Sequence, residues 1–559
     1  KNNIKAEETV NDEGKYTKNV PLFEGIHIFK ANKIIIEKLK EQKKLLANGE
    51  LIHSYPHSWR SKAPLVHRAT LQWFISMESH GLRNKALKAI DETKFYPNKG
   101  KERLKSMIEL RPDWCVSRQR AWGVPIPVFL SKKTNEILLD DEVTENIASI
   151  FEKEGADCWF EGDAQRFLGK KYKSKDYNKL TDIVEVWFDS GSTHSYVLEK
   201  RKDLKWPASM YLEGSDQHRG WFHSSLLESC GTRGRAPFDS ILSHGFVVDG
   251  KGLKMSKSLG NIISPEDILK KYGADILRIW VAASDYAEDL RIDYSILEQH
   301  AESYRKIRNT FRYILGNLND KFEKTDFEKI NIKEMPELEQ YMLHKIYNLN
   351  SVFKKNLEKY NFHTWHKELL NFCTSDLSAF YFDIRKDALY CDSAESKKRK
   401  STIKFLNIIL EILLKWFAPV LSFTTEEIYT LLKIDIKGSI HLEKFPVISA
   451  KWNNKDLSDK WTELIRIRDK CNSSIELKRA SKEIGSSLEA NLTIHLNEKL
   501  IELVKGTDFS ELCITSGAKI EKINESDSEA IVVKTIKAEG QKCPVCWKIN
   551  IKPCERHFS

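Results

Sequence analysis

The 559-residue sequence has no internal repeat, no low-complexity tract, and no signal-peptide or transit-peptide pattern at its start. It also lacks the cysteine pattern of a disulfide framework, because seven of its ten cysteines are scattered and only three cluster near the end. Scattered thiols favour a reducing compartment. We therefore expect a globular, cytoplasmic protein.

The distribution of apolar residues also predicts no membrane-spanning helix. One stretch, residues 405–423, is apolar enough to be mistaken for a span, but it carries Asn407, Glu411 and Lys415 at intervals of four, and Pro419 interrupts it. This spacing gives one polar stripe on a helix, with a Glu-to-Lys pair one turn apart. The pattern predicts a buried amphipathic helix rather than a membrane helix.

Length and charge set broad limits. A single hydrophobic core stops growing at roughly 250–300 residues, so this chain is expected to hold several domains. Its 90 Lys and Arg against 80 Asp and Glu leave a net charge of +10. That excess fits a polyanionic partner, and a general lysine bias of the proteome explains it equally well.

Residues 213–222 form the first motif, Glu-Gly-Ser-Asp-Gln-His-Arg-Gly-Trp-Phe. An α-amino acid is held through its ammonium group by a carboxylate, which Glu213 or Asp216 supplies. Gly214 lets the backbone approach a ribose closely, and Trp221 offers an apolar wall to an aliphatic side chain. For Trp221 taken alone, a place in the hydrophobic core is the alternative.

The second motif, Lys-Met-Ser-Lys-Ser, occupies residues 254–258, shortly after Gly252. Attack on a phosphoanhydride builds negative charge on the leaving pyrophosphate, and fixed cations that meet this charge accelerate the reaction. Lys254 and Lys257 suit that task, and Ser256 and Ser258 can donate hydrogen bonds. The alternative is a solvated basic turn. The neighbouring residues 252–253 (Gly-Leu) and 259–261 (Leu-Gly-Asn) extend the motif and favour the functional interpretation.

Together the two motifs resemble the catalytic half of class I aminoacyl-tRNA synthetases, and the wording of residues 213–222 resembles the bacterial isoleucyl-tRNA synthetases. Residues 114–127 and 186–192 extend the resemblance, which covers essentially the whole chain. Arg118 and Arg120 lie in the first of these stretches, and contact with tRNA phosphates or packing explains them equally well.

The resemblance implies a two-step reaction: isoleucine attacks ATP to give isoleucyl-adenylate, and the acyl group passes to isoleucine tRNA. Mg²⁺ would accompany ATP, and a monomer without membrane contact is expected. The implied site has Lys257 as the central phosphate lysine with Lys254, Ser256 and Ser258 assisting, Glu213 on the adenylate, Gly214 and Asp216 near the ribose, and Gln217 and Trp221 near the amino acid.

No His-Ile-Gly-His type motif occurs in the sequence, so the resemblance implies the C-terminal part of a larger enzyme. We expect little or no amino-acid activation from the chain alone. A non-catalytic tRNA-binding protein is the rival interpretation, and a valine enzyme is a third.

The implied fold is a partial α/β Rossmann-type catalytic core, then an all-α anticodon-binding bundle, a small α+β unit and a zinc knuckle. The expected domains are the tail of an editing domain at 1–60, the catalytic part at 61–300, the helical bundle at 301–455, the α+β unit at 456–537 and the knuckle at 538–559. Local patterns predict strands at 184–188, 210–212, 245–248 and 492–496, helices at 31–46, 221–230, 265–272 and 460–482, and a capping box at 424–427.

Residues 304–312 place cations on one helix face with aromatic residues between them, and residues 380–387 look like part of the anticodon bundle. A nucleic-acid backbone suits this face. A solvated basic helix explains it about as well, and no base contact is assigned.

The last cysteines supply a metal signal. Cys543 and Cys546 form one Cys-x-x-Cys knuckle, and Cys554 with His557 forms a second, similarly spaced pair. Four such ligands suit tetrahedral zinc, here one structural ion. The family that the chain resembles commonly has a fourth cysteine where this chain has His557, and a redox pair is the alternative.

Overall fold

The computed structural model describes residues 7–58, 61–120, 122–318, 322–432, 438–523 and 531–558. The chain divides into two compact units: the residues up to Leu212 with Asp216–Leu242 form the first, and Glu213–Ser215 with the residues from Ser243 onward form the second. Parts of each predicted domain, and Ala121 of the 114–127 segment, lie outside the described residues.

Helices and short strands alternate in the first unit. Its helices are α1 (Ile28–Glu41), α2 (Leu82–Glu92), α3 (Lys99–Glu109), α4 (Asp141–Glu154), α5 (Cys158–Glu161), α6 (Ala164–Leu168), α7 (Val186–Gly191) and α8 (Trp221–Arg233). Its strands are β1 (Phe74–Ile75), β2 (Lys94–Tyr96), β3 (Trp114–Cys115), β4 (Ser117–Arg118), β5 (Phe129–Ser131), β6 (Tyr177–Lys179) and β7 (Ile183–Val184), and it contains the first residues of β8 (Tyr211–Gly214) and β9 (Ser240–His244).

The sheet that positions the first motif has the order β2-β9-β8. Strands β2 and β9 run parallel, with Phe95 opposite Ile241. Behind them lies a core to which α2, α3 and α8 contribute, and in which Phe222, Leu226 and Ile241 are fully buried or nearly so. Most of helix α8 is therefore buried in this core, and its first residue follows β8 closely in the chain.

The second unit is mostly helical. Its helices are α9 (Pro265–Tyr272), α10 (Ala274–Ala283), α11 (Tyr294–Leu318), α12 (Glu337–Glu358), α13 (Phe362–Asn371), the π-helical Phe372–Phe382, α14 (Asp383–Cys391), α15 (Lys397–Phe417), α16 (Ser422–Leu431), α17 (Lys455–Ala480), α18 (Glu498–Leu503) and α19 (Phe509–Leu512). Its strands are β10 (Val247–Asp249), β11 (Leu290–Ile292), β12 (Ala490–Leu496), β13 (Gly517–Lys522), β14 (Ile531–Lys537), β15 (Gln541–Lys542) and β16 (Ile549–Asn550).

One hydrophobic cluster runs through this unit from Ile279 to Ile531. It joins the helices α10–α17 to the sheet of order β13-β12-β14, in which β13 lies parallel and β14 antiparallel to β12. The small α+β segment therefore packs on the same core as the helices. Strand β12 alternates buried and half-buried residues, as the 492–496 pattern predicts.

Helix α15 confirms the amphipathic reading of residues 405–423. Its polar stripe is used internally: Asn407 donates to the Glu323 carbonyl, Glu411 accepts from the Thr325 amide, and Lys415 pairs with Glu411. Among the described helices, none has the length and apolar character required to cross a membrane.

Two local predictions are wrong. The strand expected at 184–188 ends at Val184, and residues 186–191 form α7. The apolar–polar alternation ends at Val186, because Trp187 and Phe188 follow it without a polar residue between them. The capping box at 424–427 is also wrong. Helix α16 begins at Ser422, and Asp275 of α10 supplies the cap, since its carboxylate accepts the Phe423 and Thr424 amides at 3.2 and 2.8 Å.

The other local predictions are confirmed to within a few residues. Helix α9 begins at Pro265 with the Ser264 hydroxyl accepting the Glu266 amide at 3.2 Å. Helix α8 covers the segment predicted at 221–230, and α17 ends two residues before the predicted 460–482 segment does. Helix α1 begins three residues before the predicted 31–46 helix and ends five residues before its predicted end. Strands β8 and β10 overlap the runs at 210–212 and 245–248.

Candidate functional site

The first motif runs from the end of β8 into α8. After Gly214 the chain makes a short 3₁₀ turn, Ser215–Arg219, and Gly220 precedes the first residue of α8. A Cβ at Gly220 would lie 2.5 Å from Gln217 Oε1 and 2.9 Å from the Trp187 ring, so a side chain there would displace both neighbours. The glycine therefore allows Gln217 and Trp187 to lie close to the backbone at the start of α8.

Trp221 is held by three contacts. Its ring stacks on Tyr211 with centroids 4.0 Å apart and an interplanar angle of 4°. Its indole N–H donates to the Ser190 carbonyl at 3.0 Å, and its backbone N–H donates to Gln217 Oε1 at 3.0 Å. The half-buried indole is thus a fixed wall rather than a mobile side chain.

The two carboxylates of the motif, Glu213 and Asp216, remain open to solvent. The Glu213 side chain is exposed, and its Oε2 accepts the Gly214 amide at 3.0 Å, while Gly214 itself is buried. Asp216 is exposed and makes a long 3.4 Å contact with the Gln217 amide group. These carboxylates have no ion-pair partner among the described residues.

Trp187 was missed in the sequence analysis. Its ring lies against Gly220, since a Cβ there would be 2.9 Å from the edge of the indole, and 39% of the residue is exposed. In the sequence, residues 186–192 extend the resemblance to the synthetases but do not indicate a role for Trp187. Treating residues 184–188 as a strand left the direction of this indole unassigned.

Buried polar groups behind α8 shape the electrostatics. Burial, together with the charges of Arg111 and Arg219, lowers the pKa of His223 to about 3, so the ring is neutral near pH 7. Burial raises the pKa of Glu228 to about 9, helped by Asp189 and Glu185. Both residues lie within the fold, and Phe222 beside His223 is fully buried.

Arg118 is explained by packing. Its guanidinium donates to Glu185 Oε2 at 2.7 Å and to the carbonyls of Cys115 and Ser117. Glu185 also accepts the Trp114 indole N–H. Arg118 thus ties β4 to the residue that starts α7.

The lysine loop follows β10. Asp249 turns the chain by accepting the Lys251 and Leu253 amides at 3.0 and 2.8 Å, and Gly252 adopts a φ of +83° that favours glycine. The loop then enters a 3₁₀ turn, Lys257–Leu259, where Ser256 Oγ accepts the Leu259 amide at 3.3 Å. Ser256 and Ser258 lie with their hydroxyls 3.1 Å apart.

Asn261 braces this loop from its far side. Its amide nitrogen donates to Asp249 Oδ2 at 2.8 Å and to the Lys254 carbonyl at 3.3 Å, and its oxygen accepts the Ser256 amide at 2.9 Å. The hydrogen bond from Asn261 is the main reason that the pKa of Asp249 is lowered. The sequence places Asn261 next to the lysine motif without indicating its role, and no sequence pattern points to Asp249.

Lys254 and Lys257 are exposed, and neither forms an ion pair with any residue that the structure describes. Their neighbour in the loop, Met255, packs against the core of α9, α10 and β11. The braced loop therefore presents two cations to solvent from a backbone that is fixed at both ends.

The predicted metal ligands come together at the end of the chain. One ligand atom from each of Cys543, Cys546, Cys554 and His557 lies within 4.8 Å of all the others. His557 Nδ1 is 3.4 Å from both Cys543 Sγ and Cys554 Sγ, and Cys546 Sγ is 3.9 Å from Cys554 Sγ.

These separations fit a tetrahedral metal. With Zn–S of about 2.3 Å and Zn–N of about 2.0 Å, neighbouring ligand atoms are roughly 3.5–3.8 Å apart. Burial works against ionisation of Cys543, but the amides of Cys546 and Val545 and the His557 ring outweigh it and lower the pKa to about 6. A thiolate is the form that binds zinc. The donor set is therefore compatible with one zinc ion.

The cationic face of α11 is partly paired. Arg305 pairs with Glu298 and Glu302, and Arg308 donates to the Tyr304 hydroxyl at 2.9 Å. Arg308 and Arg312 remain exposed on the same side of the helix. This arrangement leaves both the nucleic-acid and the solvated-face interpretations open.

Comparison with known proteins identifies the family. The family described as tRNA synthetases class I (I, L, M and V) matches residues 8–293. The chain belongs to the class I tRNA synthetases. A second family, the anticodon-binding domain of tRNA ligase, matches residues 339–494 of this synthetase chain.

Curated relatives place the synthetase chain beside isoleucine–tRNA ligases, which confirms the resemblance drawn from the sequence. It is 74% identical to that of Pelagibacter ubique (strain HTCC1062) over 99% of this chain and 61% of the relative. It is 47% identical to that of Brucella abortus biovar 1 (strain 9-941) over 96% of this chain and 58% of the relative. The chain thus spans about 60% of the length of the curated relatives it matches.

Among solved structures, Mycobacterium tuberculosis methionyl-tRNA synthetase in complex with methionyl-adenylate aligns with a TM-score of 0.47 at 15% identity, covering 68% of this chain and 67% of that chain.

Proposed function

We propose that the whole protein carrying this chain is an isoleucine–tRNA ligase. It activates L-isoleucine with ATP to isoleucyl-adenylate and transfers the acyl group to the 3′ end of isoleucine tRNA. The observation that carries this proposal is the pair of motifs at 213–222 and 254–258 in a chain 74% identical to an isoleucine–tRNA ligase. A monomer in the cytoplasm is part of the same proposal.

Residues of the first motif hold the amino acid and the adenylate in this proposal. The exposed Glu213 carboxylate and the buried Gly214 contact the aminoacyl-adenylate, and Asp216 lies at the ribose. Trp221 forms the apolar wall with Gln217 beside it, which the fixed stacking of Trp221 on Tyr211 supports. A rigid wall distinguishes amino-acid side chains by their shape, because the Trp221 ring cannot move to make room for a methyl group in a different position.

Residues of the lysine loop stabilise the leaving pyrophosphate. Lys257, with Lys254 assisting, meets the negative charge that develops as the α-phosphate is attacked, and Ser256 and Ser258 donate hydrogen bonds. The absence of ion-pair partners for both lysines among the described residues supports this role, since no carboxylate must be displaced first. Mg²⁺ accompanies ATP.

Cys543, Cys546, Cys554 and His557 would hold one zinc ion. Its contribution is structural, because a short tail gains from metal binding the folding energy that its own core cannot supply. We assign the helical residues 301–455, the α+β residues 456–537 and the knuckle at 538–559 to recognition of tRNA. We assign residues 61–300 to the catalytic domain and 1–60 to the end of an editing domain.

The test is charging of purified isoleucine tRNA by the whole protein, with isoleucine and valine supplied separately. Isoleucine is expected on isoleucine tRNA. Charging of valine tRNA with valine would assign the valine enzyme instead. Binding of isoleucine tRNA without charging by any amino acid would mean a non-catalytic tRNA-binding protein.

A further inference from the structure

The two nitrogens of His557 have different partners. Nδ1 faces the thiols of Cys543 and Cys554, 3.4 Å from each, and Nε2 lies 2.9 Å from the Cys391 carbonyl oxygen at the end of α14. A carbonyl accepts only, so the neutral ring carries its proton on Nε2 and leaves Nδ1 free for a metal. A residue 166 positions away thus selects the metal-binding tautomer.

The neighbouring Arg556 fastens the same corner. Its guanidinium donates to Asp387 Oδ2 at 2.5 Å and to the Asp387 carbonyl at 3.2 Å, and it also pairs with Asp392. The side chains of Arg556 and Asp387 are each 31% exposed, and that of Asp392 is 14% exposed. Two carboxylates on one partly buried guanidinium make a stronger contact than an isolated surface pair.

The corner is itself held in place. Asp392 Oδ2 accepts the Ser396 hydroxyl at 2.9 Å, and the Asp392 carbonyl accepts from Arg399 at 2.6 Å, so the turn from α14 to α15 is fixed within the helical core. The Cys391 thiol adds a 3.5 Å contact to the Val545 carbonyl, between the first two ligands. Arg556, His557 and Val545 of the terminal knuckle (residues 541–558) therefore all contact one preformed corner (Asp387, Cys391 and Asp392).

We propose that the terminal knuckle is a metal-dependent latch on the end of α14, in which Asp387, Asp392 and the Cys391 carbonyl position His557 for the metal. The inference rests on the proposed zinc set. Groups that orient a metal-bound histidine typically change metal affinity by about 10–100-fold when they are removed. Docking of the knuckle and binding of the metal therefore promote each other, and each is weakened when the other is lost.

The latch also forms a cavity of about 370 Å³. Its lining includes Lys386 and Tyr390 of α14 and Val545 and Trp547 of the knuckle, together with residues between Leu488 and Ile514. Release of the knuckle would remove its part of the cavity lining. Loss of the metal should therefore increase the solvent exposure of α14 as well as that of the thiols.

The test compares two aspartates of the same helix in the whole protein. Asp387→Asn removes the charge that binds Arg556, whereas Asp383→Asn is the matched control, since Asp383 pairs with Lys386 and not with the knuckle. Zinc affinity is measured by competition with a chromophoric chelator. We expect about 10-fold weaker binding in Asp387→Asn and a change below about two-fold in Asp383→Asn.

A second variant, Arg556→Gln, and two further measurements distinguish loss of the latch from loss of the zinc site. Arg556→Gln should weaken zinc at least as much as Asp387→Asn, with the visible spectrum of bound Co²⁺ still tetrahedral in both. Chelation in the unsubstituted protein should raise deuterium uptake in residues 383–392. Unchanged zinc affinity in both variants, with one zinc bound, overturns the latch alone. Failure of the unsubstituted protein to bind stoichiometric zinc overturns the zinc site and the latch together.

Discussion

At the scale of single residues, the lysine loop combines a fixed backbone with free charges. Asp249 and Asn261 hold the turn, and Lys254 and Lys257 extend from it without carboxylate partners among the described residues. A cation already in place needs no reorganisation when charge develops on the leaving group. The brace is therefore as much a part of the proposed site as the lysines.

Replacing Lys257 tests this directly. Lys257→Ala should lower kcat of isoleucine-dependent ATP–pyrophosphate exchange by about 10²–10³-fold, with a small change in KM for isoleucine, since the lost contact forms mainly in the transition state. Lys251→Ala removes an exposed lysine of the same loop and serves as the control. Equal losses in the two variants would show that net loop charge, rather than Lys257, matters.

Glu228 makes a prediction about pH. Its pKa is raised from about 4.5 to about 9, so the folded state binds its proton more tightly than the unfolded state. The stability that this protonation contributes is complete below pH 4.5 and is lost as pH rises through 9. Glu228→Gln should therefore raise the free energy of unfolding at pH 8 by about 2 kcal/mol, allowing for partial exposure, and reduce its slope with pH.

The measurement is the chemical unfolding midpoint from pH 6 to pH 9. Glu161→Gln, at an exposed carboxylate of the same unit, is the control and should leave the profile unchanged. A profile for Glu228→Gln that parallels the unsubstituted protein would contradict the prediction.

The metal ligands and the motif residues could be named from the sequence because each set is compact in the chain. Cys543 to His557 span one short tail, and the spacing alone indicates a tetrahedral set. Asp249 and Trp187 could not be found in this way. Asp249 acts through a turn whose other end is Asn261, and the direction of the Trp187 ring depends on a helix that the alternation of residues 184–186 conceals.

At the scale of elements, a local cap makes the start of α9 visible in the sequence, whereas the distant cap of α16 does not. Ser264 caps α9 from the adjacent position, and the Ser-Pro-Glu pattern shows it. Helix α16 is capped by Asp275, which is 149 positions away in the chain, so no local pattern could reveal it. The Thr-Thr-Glu-Glu sequence resembled a capping box, but Thr424 uses its hydroxyl to donate to Asp275 at 2.6 Å.

Asp275→Ala tests the long-range cap. Loss of three hydrogen bonds to the start of α16, with Asp275 buried, should lower the free energy of unfolding of the helical core by about 2 kcal/mol. Urea unfolding monitored by tryptophan fluorescence measures it. Asp267→Ala, at an exposed aspartate in the first turn of α9, controls for loss of negative charge near a helix start. Similar effects in both variants would mean that the cap contributes nothing beyond charge.

At the scale of the whole molecule, one large hydrophobic cluster of the second unit takes residues from both its helices and its β12 sheet. The change of pattern near residue 455 predicts where the helical residues give way to the α+β residues, and one cluster of buried residues, from Ile279 to Ile531, includes residues on both sides of that position. Changes of pattern mark the order of elements along the chain. They do not show which elements share a core, because that depends on contacts between distant segments.

The central claim, activation of isoleucine, is tested most directly by amino-acid-dependent ATP–pyrophosphate exchange with the whole protein. Isoleucine should drive exchange with the highest kcat/KM, and valine, one methylene smaller, should fall short by roughly 10–200-fold. Exchange driven better by valine, leucine or methionine would contradict the assignment of isoleucine. No exchange with any amino acid, from a protein that still binds isoleucine tRNA, would contradict the claim of catalysis itself.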